Sequence, residues 1–265
     1  MTLPQFFIDR QTDAGIEKVG QKIVLPYDVA RHAFKSMRLK KSDLMNLTCG
    51  NGRKITAETI DPAQAIVQAT QIDMLPAPQI KLGLIQALAK GGRDEQAVET
   101  ATEIGADEII PWQAHRSIVQ WKGSKAVKSL EKWKNIATAA TEQSRRSFIP
   151  NVNEPVSSRQ LETKIRDWTK EGNIVIVLHQ DATDTWSGIE EKAATLAHQI
   201  ESGKTEPGKT IYAVAGPEGG ISEDEVKQFI DAGALACVIG SNILRASTAG
   251  SVALALLSKA VGRYE

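Results

Sequence analysis

The chain has 265 residues, of which 42% are hydrophobic and 24% charged, and its formal net charge is zero. This length is typical of one large domain or about two smaller ones, and the composition is sufficient for buried cores. A run of about 18 apolar residues is absent, which excludes a transmembrane helix. The segment from Met1 to Arg10 lacks the pattern of a signal peptide, and Cys49 and Cys237 fit no metal or disulfide spacing. We therefore expect a cytoplasmic protein.

Positive charge is concentrated in two segments despite the zero net charge. Five basic residues and no acidic residue lie between Arg31 and Lys41, and eight basic against two acidic residues lie between Arg116 and Arg146. Segregated stretches of this kind can form a face for nucleic-acid phosphates. Ordinary solvated faces produce the same pattern, so charge alone leaves both interpretations open.

Residues 1–73 are predicted to form a β-rich domain. Short strands are predicted at 22–25 and 67–72, a helix-compatible stretch at 29–37, and two strands at 43–49 and 54–60. The last two flank Gly50-Asn51-Gly52, a turn typical of β-hairpins. Two prolines, Pro76 and Pro78, then predict a stiff linker and a domain boundary, with a second domain over 79–265.

Strands and helices alternate from Ile80 onwards, which predicts an α/β fold with a parallel sheet covered on both faces. Strands are predicted at 80–88, 108–112, 174–178, 211–215 and 236–239, and helices at 94–104, 125–143, 190–200, 222–233 and 248–261. Pro111 is expected to stop the second of these strands. The last helix is apolar nearly all round, so it should be buried, either in its own core or, as we favour, against a second copy of the chain.

Neither a P-loop nucleotide site nor a histidine metal site is predicted, for separate reasons. Gly203 to Thr210 matches the phosphate-binding P-loop, but a helix precedes it and a strand follows, which reverses the required order. The four histidines (His32, His115, His179 and His198) show no metal-ligand spacing, so no metal site is expected.

Two glycine-containing segments, Gly216-Pro217-Glu218-Gly219-Gly220 and Ile239 to Thr248, each follow a predicted strand. Their glycines would let a ligand approach bare backbone, and ligands of parallel sheets bind at the carboxyl ends of the strands. Ser222 and Glu225 form a capping box that starts the helix after the first segment. Glu218 could accept hydrogen bonds from ligand amines or hydroxyls. The alternative is a purely structural strand-to-helix turn.

The second segment contains charged and polar residues that could contact a ligand. Arg245 lies between a buried strand and a buried helix, so we predict that it is paired or faces a ligand, because an unpaired buried charge is costly. Thr248 is a natural helix N-cap. His179 ends the 174–178 strand at the same sheet edge, and it is either a strand-end residue with one satisfied nitrogen or a ligand contact.

Several motifs occur together in a fixed order along the chain. Gly216 to Glu225 matches G-P-E-G-G-[LI]-[ST]-x-x-E, and Ile239 to Ala249 matches L-G-x-x-[IV]-L-R-x-x-T-A with Ile for the leading Leu. The upstream matches are Lys90-Gly91-Gly92-Arg93, Ala101-Thr102-Glu103-Ile104-Gly105, Glu142-Gln143-Ser144-Arg145-Arg146, and His32 with Met37-Arg38-Leu39. On these segments the whole chain resembles the RsmE family of SPOUT methyltransferases, which methylate N3 of a uridine in 16S ribosomal RNA.

The resemblance implies a SPOUT-type parallel sheet with a C-terminal trefoil knot, preceded by a PUA-like β-barrel that helps to grip RNA. It implies S-adenosylmethionine as cofactor, 16S ribosomal RNA of the small subunit as substrate, and a homodimer with the site near the subunit interface. Cofactor contacts carried over from the family are Leu178, His179, Gly216, Pro217, Glu218, Gly219, Gly220, Ile239, Gly240, Ile243, Leu244, Arg245 and Thr248. The chain departs from the common family form at Gln5, Arg145, Ser241-Asn242 and Ala246-Ser247.

The implied reaction assigns roles to individual residues. Uracil N3 must lose a proton, and Arg245 is the candidate for stabilising the charge that develops on the base. Glu218, or a residue on the RNA-facing side, would take the proton, and the sequence leaves these alternatives open. The basic residues expected to contact RNA are Arg31, Arg38, Lys90, Arg93, Arg116, Arg145 and Arg146.

Two other functions compete with this one. A non-catalytic RNA-binding or ribosome-assembly factor would bind RNA without the cofactor, and the intact glycine turns disfavour it. A nucleotide-dependent oxidoreductase or ATPase is disfavoured because the chain has no G-x-G-x-x-G fingerprint and its P-loop match is in reversed context.

Overall fold

A computed structural model of the protein describes residues 3–182 and 184–264. The chain divides into two compact units. The first contains the chain up to Ala77 together with Thr141–Ile149, and the second contains Pro78–Ala140 and the chain from Pro150 onwards. The sequence-based division placed 141–149 with the second domain, whereas the structure groups this segment with the first unit.

The first unit holds a five-stranded sheet with the order β1-β3-β4-β5-β2 among the residues described. Its elements are β1 (Gln5–Phe7), α1 (Arg10–Ala14), β2 (Lys22–Val24), α2 (Tyr27–Ala30), β3 (Leu44–Thr48), β4 (Arg53–Asp61) and β5 (Ile66–Met74). β3 and β4 pair antiparallel with Leu47 opposite Ile55, which confirms the predicted hairpin. Both side chains are fully buried, because residues directly opposite each other on paired strands lie on the same face of the sheet.

The helix-compatible stretch of the first unit takes an unusual form. After α2 the chain continues as a π-helix over Arg31–Ser36. The Met37 N–H therefore donates to the His32 carbonyl, five residues earlier, at 2.9 Å. Turns of this kind are rare in helices and are often found at functional sites.

The segment 141–149 joins the first unit through backbone hydrogen bonds. The Gly52 N–H donates to the Ser147 carbonyl at 2.8 Å, and the Ile149 N–H donates to the Gly50 carbonyl at 3.0 Å. Residues 147–149 therefore pair with the hairpin turn at Gly50 and Gly52. Such long-range pairing has no local sequence signal, because the pattern around 141–149 is that of a helix end.

In the second unit, the described residues form a sheet whose neighbouring strands are all parallel. The strands are β6 (Ile80–Ala87), β7 (Glu108–Gln113), β8 (Asn151–Val152), β9 (Val156–Ser157), β10 (Ile174–Leu178), β11 (Asp184–Thr185), β12 (Lys209–Ala215) and β13 (Leu235–Val238). Their order is β11-β13-β10-β12-β6-β7-β8, with β9 also pairing with β7.

Helices cover both faces of this sheet, which confirms the predicted α/β class. They are α3 (Arg93–Ile104), α4 (Ser124–Gln143), α5 (Ser158–Lys170), α6 (Trp186–Glu201), α7 (Glu223–Asp231) and α8 (Ala249–Ala260). Alternate residues of one strand enter opposite cores: Ala213 of β12 packs with residues of α3, α4, α6 and α8, whereas Val214 packs with residues of α5 and α7.

Helix α8 packs into the core of its own unit, with Leu254 and Leu257 fully buried. Val252, Ala255 and Leu256 are half-buried, and the favoured packing against a second copy stays a prediction. The expectation that Pro111 stops strand β7 was wrong, because the strand runs through it. It tolerates the proline because β8 pairs with residues 108–109 and β9 with residues 112–113, so Pro111 has no partner on that edge.

Within the described ranges, no helix is both long and apolar enough to cross a lipid bilayer.

Candidate functional site

A cavity of about 470 Å³ opens in the second unit at the carboxyl ends of three neighbouring strands. β10 lies between β13 and β12 in the sheet, and the residues that follow these strands line the cavity. This volume is within the usual range for small-molecule sites, and the sheet edge is the one that the sequence predicted.

Most of the predicted cofactor residues meet at this cavity. The lining includes Leu178, His179, Gly216, Pro217, Glu218, Gly219, Gly220, Ile239, Gly240, Ile243, Leu244 and Arg245. Thr248 is not among the lining residues. It occupies the N-cap position of α8, but its side chain makes no capping hydrogen bond, in contrast to the expected N-cap.

Several lining residues were not predicted from the sequence, namely Gln180, Asp181, Ile221, Glu223, Cys237, Val238, Asn242, Ala246 and Ala249. Most of them directly adjoin residues that were predicted. Gln180 and Asp181 follow His179, and the position of His179 at the end of a strand was the available signal. Asn242 is one of the residues that depart from the common family form.

The first glycine segment, which we call the GPEGG turn (residues 216–220), is closed by a hydrogen bond from the Gly220 N–H to the Pro217 carbonyl at 2.9 Å. Gly220 has φ +72°, a conformation that favours glycine. At Gly219, an added Cβ would lie 3.2 Å from Cβ of Arg116. The turn therefore needs Gly220 for its conformation and Gly219 for the close approach of Arg116. The glycines thus have a structural role, and this role is compatible with ligand binding.

Glu218 does not extend freely into the cavity. Its Oε1 accepts hydrogen bonds from the Lys90 N–H at 3.0 Å and from Arg93 Nη1 at 3.1 Å. Arg93 lines the cavity and forms an ion pair with Glu218, and the phosphate contact that the sequence suggested for it stays a prediction.

Arg116 contacts the other side of the turn. Its Nη1 donates to the Gly219 carbonyl at 3.2 Å, and its side chain also lines the cavity. Two arginines predicted as RNA contacts, Arg93 and Arg116, therefore flank the GPEGG turn from different loops.

The helix after the turn begins with the predicted capping box. Ser222 and Glu225 bond reciprocally at the N-terminus of α7. Burial raises the pKa of Glu225, but hydrogen bonds from Ser158, His115 and Ser222 outweigh it, so the pKa lies below its ordinary value. Glu225 is therefore ionised at neutral pH.

Arg245 lies in the second lining segment, which we call the 239–248 loop. Its side chain lines the cavity but is exposed, and it makes no ion pair with any residue that the structure describes. The turn is solvent-accessible, so the premise that Arg245 is buried was wrong. Of the two predicted alternatives, pairing within the chain or facing a ligand, the second agrees with a guanidinium that lines the cavity.

His179 has one ring nitrogen satisfied within the chain. Its Nδ1 accepts from the Asp181 backbone N–H at 3.3 Å. The backbone N–H of His179 donates to the Cys237 carbonyl at 3.1 Å. Because Nδ1 is an acceptor, the ring proton belongs on Nε2 in this arrangement.

The remaining predicted RNA contacts lie elsewhere. Arg31, Arg38, Arg145 and Arg146 belong to the first unit, and Lys90 precedes Arg93 in the loop that holds Glu218. Arg38 and Arg145 both have positive φ, 58° and 59°, which is uncommon outside glycine. Among the residues described, no group of three His, Cys, Asp or Glu side chains could hold a metal ion.

Comparison with known proteins connects this site to one family. A family model described as an RNA methyltransferase domain matches residues 76–258. The ribosomal RNA small subunit methyltransferase E of Mycobacterium tuberculosis is 32% identical over 98% of this chain and 93% of the relative. The enzyme of that name from Bacillus subtilis is also 32% identical, over 86% of each chain.

Solved structures agree with these sequence matches. A ribosomal RNA small subunit methyltransferase E from Neisseria gonorrhoeae, bound to S-adenosyl methionine, superposes with a TM-score of 0.75 at 25% identity and covers 97% of this chain and 98% of that one. A Legionella pneumophila protein in complex with the same cofactor has a TM-score of 0.75 at 25% identity, with 98% of each chain covered. The chain belongs to the ribosomal RNA small subunit methyltransferase E family, RsmE.

Proposed function

We propose that this protein transfers a methyl group from S-adenosylmethionine to N3 of a uridine in 16S ribosomal RNA of the small subunit. The observation that carries the proposal is the cavity between the GPEGG turn and the 239–248 loop, at the carboxyl edge of the sheet. Family membership supports the reaction class, and the Neisseria gonorrhoeae relative is bound to this cofactor in its structure.

The cavity lining suits this cofactor in size and chemistry. Leu178, Ile239 and Leu244 provide apolar surface for an adenine ring, and the carboxylates of Asp181 and Glu223 can accept hydrogen bonds from hydroxyl or ammonium groups. Bare backbone at Gly219 and Gly220 permits close approach. We assign the cofactor contacts to the lining residues that were predicted from the sequence; Thr248, which does not line the cavity, is not among them.

Bound S-adenosylmethionine supplies an electrophilic methyl carbon, so the chain mainly has to align the base and stabilise its charge. Arg245 is exposed in the cavity and free of ion pairs with the described residues. We assign it the role of stabilising the negative charge that develops on the base as N3 loses its proton. Glu218 is already bound to Lys90 and Arg93, so we assign it to the shape of the turn. The N3 proton passes to solvent, to which the cavity is open at the exposed Arg245, and the methyl group moves from sulfur to N3, which leaves S-adenosylhomocysteine.

RNA contacts are proposed on both units. N3 lies on the Watson–Crick edge, so the target base must be unpaired or flipped out before it reaches the cavity. Up to Ala77 and over Thr141–Ile149, the first unit has twelve basic and nine acidic residues, which supports a PUA-like RNA-binding role. The proposed phosphate contacts remain Arg31, Arg38, Lys90, Arg93, Arg116, Arg145 and Arg146.

The proposal includes a homodimer, a trefoil knot in the second domain and a cytoplasmic location, where ribosomal subunits are the substrate. The homodimer, the knot and the PUA-like domain rest on the resemblance to the family. The proposed boundaries are 1–73 for the PUA-like domain and 79–265 for the methyltransferase domain that contains the knot.

A labelled-methyl assay tests the proposal. The protein is incubated with methyl-labelled S-adenosylmethionine and small ribosomal subunits from cells that lack this methylation, and the RNA is digested and analysed by nucleoside chromatography and mass spectrometry. We expect label in N3-methyluridine of 16S RNA. Label in another nucleoside, or cofactor binding by calorimetry without any transfer, would contradict the proposed reaction, and the second result would favour a non-catalytic factor.

A further inference from the structure

The carboxylate of Glu225 makes more contacts than a helix cap requires. Its side chain is fully buried. Oε2 accepts from the N–H and the hydroxyl of Ser222 at 3.1 and 2.7 Å, which completes the capping box. Oε1 is directed to other parts of the chain: it accepts from the His115 N–H at 2.8 Å and from the Ser158 hydroxyl at 2.5 Å.

These bonds join three segments that are distant in sequence. Ser222 starts α7 directly after the GPEGG turn, His115 follows β7, and Ser158 starts α5. Ser158 in turn accepts a hydrogen bond from Nε1 of the fully buried Trp112 at 3.1 Å. Chains of hydrogen bonds in a buried setting polarise one another, so the network is stiffer than its separate bonds.

The second segment leads directly to the cavity. Arg116 follows His115, whose N–H is bound by Glu225. The backbone of Arg116 lies against Gly219, since a Cβ added there would be 3.2 Å from Cβ and 3.5 Å from the carbonyl oxygen of Arg116. Arg116 also donates to the Gly219 carbonyl. The position of residues 115–116 therefore sets one wall of the GPEGG turn.

We infer that Glu225 is a positioning residue for the cofactor site: its two oxygens hold the start of α7 and the Arg116 segment in register, and so hold the GPEGG turn open to the cofactor. The inference rests on the proposed function, because it assigns the cavity to S-adenosylmethionine. Glu225 itself is not a lining residue and acts through Ser222 and Arg116.

The substitution Glu225→Gln tests this arrangement with little change in volume. Each oxygen of Glu225 accepts one backbone N–H and one serine hydroxyl. A serine hydroxyl can rotate and accept from the new amide, but a backbone N–H cannot. Whichever way the amide is turned, its NH₂ faces one backbone N–H, at His115 or at Ser222, and that bond is lost.

Glu108→Gln is a matched control at the opposite end of β7. Glu108 also joins distant segments, since its carboxylate accepts from the Tyr212 hydroxyl at 2.8 Å and from Asn153 Nδ2 at 2.6 Å. It begins β7 and is not a cavity residue. The control should lower thermal stability without changing cofactor affinity.

The experiment measures the Kd of S-adenosylmethionine by calorimetry, and kcat and KM in the methylation assay, for wild type, Glu225→Gln, Glu108→Gln, Arg116→Ala and the Glu225→Gln/Arg116→Ala double variant. We expect Kd and the cofactor KM to rise about tenfold in Glu225→Gln and by less than about twofold in Glu108→Gln. The double variant should bind little worse than Arg116→Ala alone, because the two residues act on the same wall.

An unchanged Kd in Glu225→Gln, or strictly multiplicative effects in the double variant, would overturn the inference while leaving the proposed function intact. If Glu225→Gln fails to fold, Ser158→Ala removes a single bond to the same carboxylate and should still raise Kd a few-fold, and no change there would overturn it equally. A wild-type protein that does not bind the cofactor would instead refute the proposed function.

Discussion

Two of the segments that line the cavity, the GPEGG turn and the 239–248 loop, are built in opposite ways. The GPEGG turn is held from outside on several sides: Lys90 and Arg93 bind Glu218, and Arg116 binds the Gly219 carbonyl. The middle of the 239–248 loop is open to solvent, with Ile243 80% exposed and Arg245 exposed without an ion pair to the residues described, whereas Ala246 and Ser247 are buried.

This difference suggests a division of labour. A turn whose position is set before the ligand arrives lowers the ordering cost of binding, so the GPEGG turn should control cofactor affinity. A guanidinium that is not engaged by the chain can be engaged by a reacting base, so the 239–248 loop should control the chemical step. Substitutions in the two segments should therefore separate affinity from rate.

The largest effect should come from Arg245→Ala. We expect kcat to fall by about a hundredfold, the size typical for removing a group that stabilises developing charge. Because Arg245 is exposed and makes no ion pair with described residues, Tm should change little. The measurements are single-turnover methylation, thermal unfolding and cofactor calorimetry.

Arg245→Lys is the control for charge without the planar guanidinium, and it should recover part of the rate. An Arg245→Ala variant with unchanged kcat would remove the catalytic assignment. A variant whose main defect is cofactor Kd would break the division between the two segments.

Gly219→Val should have the next largest effect, and on affinity. The added side chain would press on Arg116, whose Cβ would lie 3.2 Å from the new Cβ, so the turn must shift. We expect the cofactor Kd to rise about tenfold or more and Tm to fall by several degrees, an effect of about 1–3 kcal/mol. Calorimetry and thermal unfolding measure both.

Ser241→Val is the control in the other segment. Ser241 is exposed and does not line the cavity. The variant should fold normally and bind the cofactor within about twofold of wild type. Equal losses in Gly219→Val and Ser241→Val would show that the two segments do not differ in rigidity.

The smallest effect concerns acid stability. The pKa of Glu225 is lower in the folded chain than its ordinary value of 4.5, because its hydrogen bonds outweigh the opposing effect of burial. A lowered folded pKa contributes stability that is present above the unfolded value and is lost as pH falls through the folded one. The Tm advantage of wild type over Glu225→Gln should therefore narrow below about pH 4.5, by a few degrees.

Thermal unfolding at intervals between pH 7 and pH 3.5 checks this. A Tm difference that is constant over this range would mean that ionised Glu225 contributes nothing to the pH dependence. Glu108→Gln provides the comparison for loss of a carboxylate at the other end of β7.

Local patterns in the sequence determined much of the fold. Continuous apolar runs predicted β10 at its observed bounds, Ile174–Leu178, and alternation of strands and helices predicted a parallel sheet covered on both faces. The capping box of Ser222 and Glu225 was also readable, because its partners are three residues apart. Short strands such as β8, β9 and β11 were missed, since two residues carry no periodicity.

The ends of strands were predicted to form the site, and the cavity lies there because carboxyl ends of parallel strands meet at one edge. The burial and packing of individual side chains were harder to predict from the sequence. Arg245 was expected to be buried, since both neighbouring elements are apolar, yet its turn is exposed. For helix α8 the sequence left burial in its own core and against a second copy open, and the structure shows which side chains its own unit covers, Leu254 and Leu257 among them.

By itself the sequence determined the GPEGG turn and the α7 cap, because each depends on residues a few positions apart. Only the tertiary structure decided what holds the turn: Lys90 and Arg93 reach Glu218 across 128 and 125 positions, and His115 reaches Glu225 across 110. The order of β7, β6 and β12 in the sheet brings these loops to one edge. Strand order is a property of the whole packed sheet, so no local pattern specifies it.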